Sequence, residues 1–485
     1  MAKITEFALK DDPQVHVLRE GDLAQWGECV LLWVQRSQRA RSNPAANLAV
    51  EIATARGLPV IAVFCMVPAF PEARLRQYHF MAEGLARLPD EFAERGIGWK
   101  LVVGEPPVEI PAVARSLQAA AVVTDMNPLA IGRAWRVGVA SALAVPMVEV
   151  DGDVVVPSAL FEKEEYAPRT IRAKLRKHLD RYLVRIPDPV SPVASDLRAR
   201  PDPLEVIRTF DLDTSVGPAP FLRGGSAIAR ERLREFVDER LDRYDQDRSR
   251  ADITAGTSLS PWLHYGQIGP TEIAVAVQES DAPDAAKESF RDELVTQREL
   301  AINFALRNPD YDSWMGLPDW GRETLAKHAA DPRPVTFTQS EFEHARTDDP
   351  LWNAAQTQMV NEGYMPNRLR MYWAKQILRW SDSPELAWRT TVYLNNKYFV
   401  DGRDANSYAN IAWCIGGRHD RPFGPEKEIF GLVRPMGMGA MKRTFDVDAY
   451  IWQVRERWGD DVEMRTVEEG AGAKTPRQAP MQLPG

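Results

Sequence analysis

Cysteine is nearly absent from this chain. Three cysteines, Cys29, Cys65 and Cys414, are scattered over 485 residues. Their odd number and lack of metal-ligand spacing leave no expected disulfide framework and no expected metal site, and fit a reducing, cytoplasmic setting. No run of eighteen apolar residues occurs, so a membrane-spanning helix is not expected. The opening MAKITEFALKDDPQ has no apolar core of the secretory-signal kind. An excess of positive charge is also missing: 60 Lys and Arg stand against 69 Asp and Glu, a net charge of −9. That argues against indiscriminate nucleic-acid binding but permits a local basic groove. No G-x-G-x-x-G follows the first apolar run, so a dinucleotide in the usual α/β crevice is not supported. Internal repeats are absent.

What the chain does have is length enough for two or three domains. Residues 1–27 are polar and read as peripheral. Short unalternating apolar runs then recur at Cys29–Val34, Pro59–Val67, Trp99–Val103, Ala120–Thr124 and Pro146–Val150, with helix-like segments between them. Such runs predict parallel strands covered on both faces. Residues 28–185 therefore read as a Rossmann-like α/β domain. Its last stretch, Arg169 to Arg185, carries seven Lys or Arg against one acid; it is either a solvated face or a phosphate-contacting edge. Residues 186–224 are proline-rich and weakly periodic, and read as a linker wrapping the surface. From 225 to 460 the spacing is helical, at 226–243, 270–279, 286–307, 351–362, 367–380 and 384–397, predicting an all-helical second domain. Residues 461–485 have the composition of a disordered tail.

Aromatic residues concentrate in that second half, where ten of the fourteen tryptophans follow residue 250. Between Tyr364 and Trp413, Leu369, Trp373, Ile377 and Trp380 recur at helical spacing and share one face. The stripe is either plain core or a path for electrons. Arg370 and the Asp401 of a DGRD loop lie in the same stretch, and a buried Arg–Asp pair is costly unless it orders something. Upstream, TAGTSLSPWLHYGQ places Thr257, Ser258 and Ser260 just before Pro261, either as an ordinary helix cap or as an anion site fit for a pyrophosphate. Glu293, Gln297 and Leu300 share a helical face, and Trp352 and Asn353 stand at a helix start.

The ordered motifs SLSPWLHYGQ, ELVTQREL, DPLWNAAQ, RMYWAKQIL, YLNNKY, DGRD and KRTFDVDAYI, with the upstream LLWVQRSQRARSNPA, TDMNPL and EYAPRTIR, resemble the photolyase/cryptochrome family. The resemblance spans Val30 to Ile451 and is closest to class II cyclobutane pyrimidine dimer photolyases. It implies an N-terminal α/β domain and a helical domain that holds FAD. Tyr244, Thr257, Ser258, Leu259, Ser260 and Arg298 fall where the family binds FAD, and Arg370 and Asp401 match the pair flanking its ring. Asn395 matches an asparagine near the flavin. Trp373, Trp352 and Trp380 match the photoreduction chain, in order from flavin to surface. Glu293, Met371 and Trp413 match residues that contact the dimer.

The implied activity is light-driven splitting of pyrimidine dimers in DNA by electron transfer from FADH⁻, a carbon–carbon lyase reaction on a flipped-out lesion. Arg421, Arg434, Lys442 and Arg443 are expected phosphate contacts in a locally basic region. An antenna chromophore of 8-hydroxydeazaflavin or folate type, and a monomeric state, are further expectations. Three positions depart from the family pattern. Gln297 stands where many relatives carry a tryptophan, Ser249 where they carry asparagine, and Asn367 begins an NRLRM run unlike the class II pattern. The competing readings are a cryptochrome-type blue-light receptor on the same scaffold and a flavin-free nucleotide-binding protein.

Overall fold

A computed structural model describes residues 3–7, 12–199 and 201–459. The tail expected at 461–485 lies outside the described residues. Seven strands form one sheet: β1 (Val15–Arg19), β2 (Cys29–Val34), β3 (Val60–Met66), β4 (Gly98–Val103), β5 (Ala119–Asp125), β6 (Met147–Val150) and β7 (Arg198–Ala199), in the order β1-β6-β5-β2-β3-β4-β7. All pairings are parallel except that of β1 with β6. Every residue of β2, β3 and β5 is buried, which is why these strands read as continuous apolar runs. Helices such as Pro44–Arg56 cover the faces. Asn43 starts that helix by accepting from the Ala45 and Ala46 amides, and Gly57, at φ +63°, ends it.

Two expectations need correction. Residues 1–27 are not wholly peripheral, because Val15–Arg19 adds an antiparallel edge strand. Its half-buried V-H-V-L-R pattern lacks the apolar continuity of the central strands. The stretch 186–224 is more than a linker. It supplies β7 and the helix Pro203–Ile207, whose Ile207 is buried in the α/β core.

The helical domain follows the expected segments closely: Ser226–Glu239, Pro270–Glu279, Pro350–Glu362, Asn367–Trp380 and Pro384–Tyr398, then Ala405–Gly416 and Val447–Trp458. The predicted helix 286–307 is interrupted. Asp284–Arg291 passes through a π-helical turn at Asp292–Gln297 into Arg298–Arg307, the kind of bulge that concentrates at functional sites.

The two domains are joined by charge and hydrogen bonds as well as by apolar contact. Arg76, from the α/β domain, donates to the carbonyls of Gly217, Met359, Val360 and Tyr398, and Gln77 donates to those of Lys397 and Phe399. Of these, the Val360, Lys397 and Tyr398 carbonyls lie in the last turns of Pro350–Glu362 and Pro384–Tyr398, where carbonyls run out of donors within the helix. The basic stretch 169–185 also faces this boundary. Arg172 forms a two-pronged pair with Asp292, while Arg176 and Arg185 pair with Glu288 and Glu279. Arg172 is partly buried at this boundary, whereas the Arg176 and Arg185 side chains are 61% and 78% exposed and belong to a solvated face.

Candidate functional site

A cavity of about 1260 Å³ opens into the helical domain, larger than the ~300–1,000 Å³ of ordinary small-molecule sites. One part of its wall is the stretch Thr257–Ser260. The following helix, Ser260–His264, has Leu259 at its cap position with no side-chain capping bond, so an ordinary hydroxyl cap is not what these residues form. The Thr257 hydroxyl accepts from the Leu259 amide at 3.2 Å, and Ser258 sits at φ +53°, in the left-handed region that a non-glycine residue adopts at a cost. Tyr244 lines the same wall with its ring edge-on to Phe236 and Phe290. Burial raises its phenol pKa.

Arg370 and Asp401 do pair. Arg370 Nη2 lies 3.1 Å from both carboxylate oxygens, and its Nε donates to the Met365 carbonyl at 2.9 Å. The guanidinium rests 3.9 Å from the Phe399 ring centroid, and both charged groups line the cavity. Arg298 lines it as well, but is anchored outward, donating at 2.8 Å to Asp153 of the α/β domain.

Glu293, Gln297, Met371 and Trp413 also line the cavity, as do the departure residues Ser249 and Asn367. Glu293 is carried by the π-helical turn and is paired with Arg248. Arg434 also lines the cavity and pairs with Asp420 at 3.2 Å. Arg421, Lys442 and Arg443 are exposed but do not line it. Asn395 is buried and is not among the residues that line the cavity. It sits in the last turn of Pro384–Tyr398, where its side-chain amide donates to Asn396 at 2.9 Å and its carbonyl accepts from Phe399. It backs the Asp401 loop, since a Cβ on Gly402 would come within 2.7 Å of the Asn395 carbonyl.

The three tryptophans form a continuous file across two helices. Trp373 and Trp352 stack with centroids 6.4 Å apart and an 11° interplanar angle, and Trp352 meets Trp380 at 6.3 Å. Trp352 Nε1 donates to the Trp373 carbonyl, and Trp373 Nε1 to Gln356, which fixes both rings. Phe399 lies between Trp373 and the Arg370 guanidinium. Trp352 is fully buried and Trp380 is 7% exposed, so the file leads from the Arg370–Asp401 region towards the surface.

Residues that sequence reasoning missed join the domains at this cavity, whose wall includes Arg36, His264 and Asp404. Arg36 contacts Asp153 at 2.5 Å and Asp404 at 2.6 Å, and His264 Nδ1 lies 3.0 Å from the same Asp404 oxygen. Burial pushes the Asp404 carboxyl up, but the Arg36 charge and His264 hold it well below the usual range. Burial lowers the His264 pKa. Arg248 and Arg368 at the cavity wall were missed too; a lone arginine in a charged helical stretch carries no periodic signal.

Comparison with known proteins agrees with this geometry. The DNA photolyase family model matches residues 30–193. A deoxyribodipyrimidine photo-lyase of Methanothermobacter thermautotrophicus is 38% identical, over 88% of this chain and 95% of the relative. The chain belongs to the DNA photolyase family. Among solved structures, a bacterial class III photolyase from Agrobacterium tumefaciens superposes with a TM-score of 0.70 at 18% identity, covering 89% of this chain and 87% of the other. An archaeal photolyase from Sulfolobus tokodaii, solved with two FAD molecules, gives 0.66 at 16% identity over 89% and 91%. At those identities the likeness concerns the photolyase fold alone. Among the described residues of this photolyase-family chain no helix is long and apolar enough to cross a membrane, and no cluster of potential metal ligands occurs.

Proposed function

We infer that the chain is a light-driven lyase that splits cyclobutane pyrimidine dimers in DNA. The observation that carries the reading is the single cavity wall joining Arg370 and Asp401 to Glu293, Met371 and Trp413, with the indole file leaving from behind it.

The wall fits FAD by its donor set. Thr257, Ser258 and Ser260 supply hydroxyls that cap no helix and suit a pyrophosphate. Arg370 and Asp401, locked together and braced on Phe399, offer a donor and an acceptor to the polar edge of a flavin ring. Reduced FAD, held by these residues, would supply the photoexcited electron. Trp380, Trp352 and Trp373 relay electrons inward from the surface to keep the cofactor reduced. Met371 and Trp413 pack against the flipped-out dimer, and Glu293 hydrogen-bonds it where negative charge develops. The dimer takes up one electron, its cyclobutane bonds break, and it gives the electron back, so no net redox change results. Arg248, Arg368 and Arg434 at the mouth, with Arg421, Lys442 and Arg443 beyond it, contact phosphates and counter the acidic net charge.

An antenna chromophore has a candidate seat as well. A second cavity of about 120 Å³ lies at the carboxyl ends of β2 and β3, lined by Trp33, Phe64, Phe70, Tyr78 and Trp135. This falls below the ~300–1,000 Å³ of drug-sized sites, so a chromophore of 8-hydroxydeazaflavin or folate type would insert no more than its ring system.

The test is to illuminate the flavin-reduced protein with dimer-containing oligonucleotide and follow recovery of pyrimidine absorbance. Recovery with turnover is expected. Equal binding of lesion and control DNA with no recovery would replace repair by the receptor reading.

A further inference from the structure

Lys375 is a buried ammonium that the repair reading leaves unused. It lies on Asn367–Trp380, one turn beyond Met371, and is 1% exposed. Among the described residues it forms no ion pair. Its contacts are the Trp413 carbonyl, at 3.4 Å, and the Trp413 ring, whose centroid is 4.7 Å from Nζ. Lys375 itself is not on the cavity wall, whereas Met371 and Trp413 are. The ammonium therefore sits behind the indole. Helix Ala405–Gly416 also presents Cys414 to it, whose thiol burial pushes up to about 11 and so keeps neutral. Asp420 and Arg434 reach it from the loop beyond, and they are paired with each other. An isolated buried cation is costly. Here its compensation is the indole face, a stronger contact when desolvated than when exposed.

We propose that Lys375 is a positioning residue of the lesion pocket: it clamps Trp413 from behind and places a positive charge beneath the surface on which the flipped dimer rests. This rests on the repair reading above. The charge stays fixed while the dimer carries its extra electron, so it favours the short-lived anion over the neutral ground state. Burial lowers the Lys375 pKa to about 8, so the charge is present at neutral pH and is lost as pH rises through that value.

The experiment uses flavin-reduced holoenzyme and measures repair yield per absorbed photon on dimer-containing duplex from about pH 6.5 to about pH 9.5, spanning the lysine titration. The wild type should lose roughly threefold in yield across this range, the equilibrium equivalent of a cation–π contact of modest strength. Lys375→Met should have the lower yield at neutral pH and no further fall, with flavin occupancy unchanged. Lys375→Arg, whose guanidinium stays charged across the range, should also lose the pH step while keeping the neutral-pH yield, and it keeps the test decisive if Lys375→Met does not fold. A wild-type pH step that persists in either variant, or a wild type whose yield is flat across the range, overturns the role of Lys375 and leaves repair standing. No repair by the wild type at any pH overturns both.

Discussion

An Asp401→Ala exchange would leave the Arg370 guanidinium with one polar partner, the Met365 carbonyl, and with the Phe399 face. Removing one member of a fully buried pair costs ~3–5 kcal/mol, but the Arg370 side chain is 16% exposed, so the loss should fall at or below the low end. The expected outcome is a chain that folds but releases its flavin during gel filtration, read as the ratio of flavin to protein absorbance. Undiminished occupancy would show the pair to be peripheral. Glu293 poses a different question because Arg248 already holds its carboxylate. Glu293→Ala removes the group that meets the developing charge and frees a cation at the cavity wall. Repair yield should fall about tenfold, less than the ~10²–10³ of an enclosed oxyanion site, because the Glu293 side chain is 32% exposed. Affinity for dimer-containing duplex should hold or rise. Parallel quantum-yield and binding titrations separate the two effects, and a yield that matches the wild type would remove Glu293 from the chemistry.

At the scale of elements, the indole file depends on two helices meeting. Seven-residue spacing places Trp373 and Trp380 on one face of Asn367–Trp380, but only the packing of Pro350–Glu362 against it inserts Trp352 between them. Trp373→Phe should abolish photoreduction of the flavin by external reductant, and Trp380→Phe should slow it strongly. Repair by chemically reduced protein should be unaffected in both. Wild-type photoreduction kinetics in either variant would remove the file from the electron path. The same contrast explains what the sequence shows and hides. The strands β2, β3 and β5 are legible because burial on both faces leaves them apolar throughout, save Thr124 and Asp125 at the end of β5. The strand β1 is hidden because its half-buried residues mimic a loop. Arg36 and Asp404 are separated by 368 residues, and His264 and Asp404 by 140; charges that meet only through the tertiary fold leave no local period. Asn395 aligns with a family position, yet its side chain turns to Asn396 within the same helix end, a choice of rotamer that no spacing encodes.

For the whole molecule, the boundary between domains carries charges whose titration should be felt as stability. Glu299, on the helix that follows the π-helical turn, accepts from the amides of Val155 at 2.6 Å and Val156 at 3.3 Å, so it fastens the segment after β6 to the helical domain. Burial raises its pKa from 4.5 to about 8 despite those two amides. Asp151, which accepts from Ser158 at 2.7 Å, is likewise raised by burial, from 3.8 to about 6. Between the unfolded and folded values each carboxyl is neutral in the native chain and ionised in the unfolded one, so the native state binds more protons. Stability should then fall as pH rises from about 4.5 to about 8 for Glu299, and from about 3.8 to about 6 for Asp151. Glu299→Gln keeps an oxygen for the Val155 and Val156 amides and removes the proton that folding takes up. Its unfolding free energy, measured by denaturant titration at a series of pH values, should decline less steeply towards pH 8 than that of the wild type. The variant should gain most at the alkaline end of the window, where the native carboxyl must ionise or stay protonated against the solvent. The opposite slope, with the variant losing stability relative to the wild type as pH rises, would mean that Glu299 is ionised in the folded protein and that its two amide donors outweigh its burial.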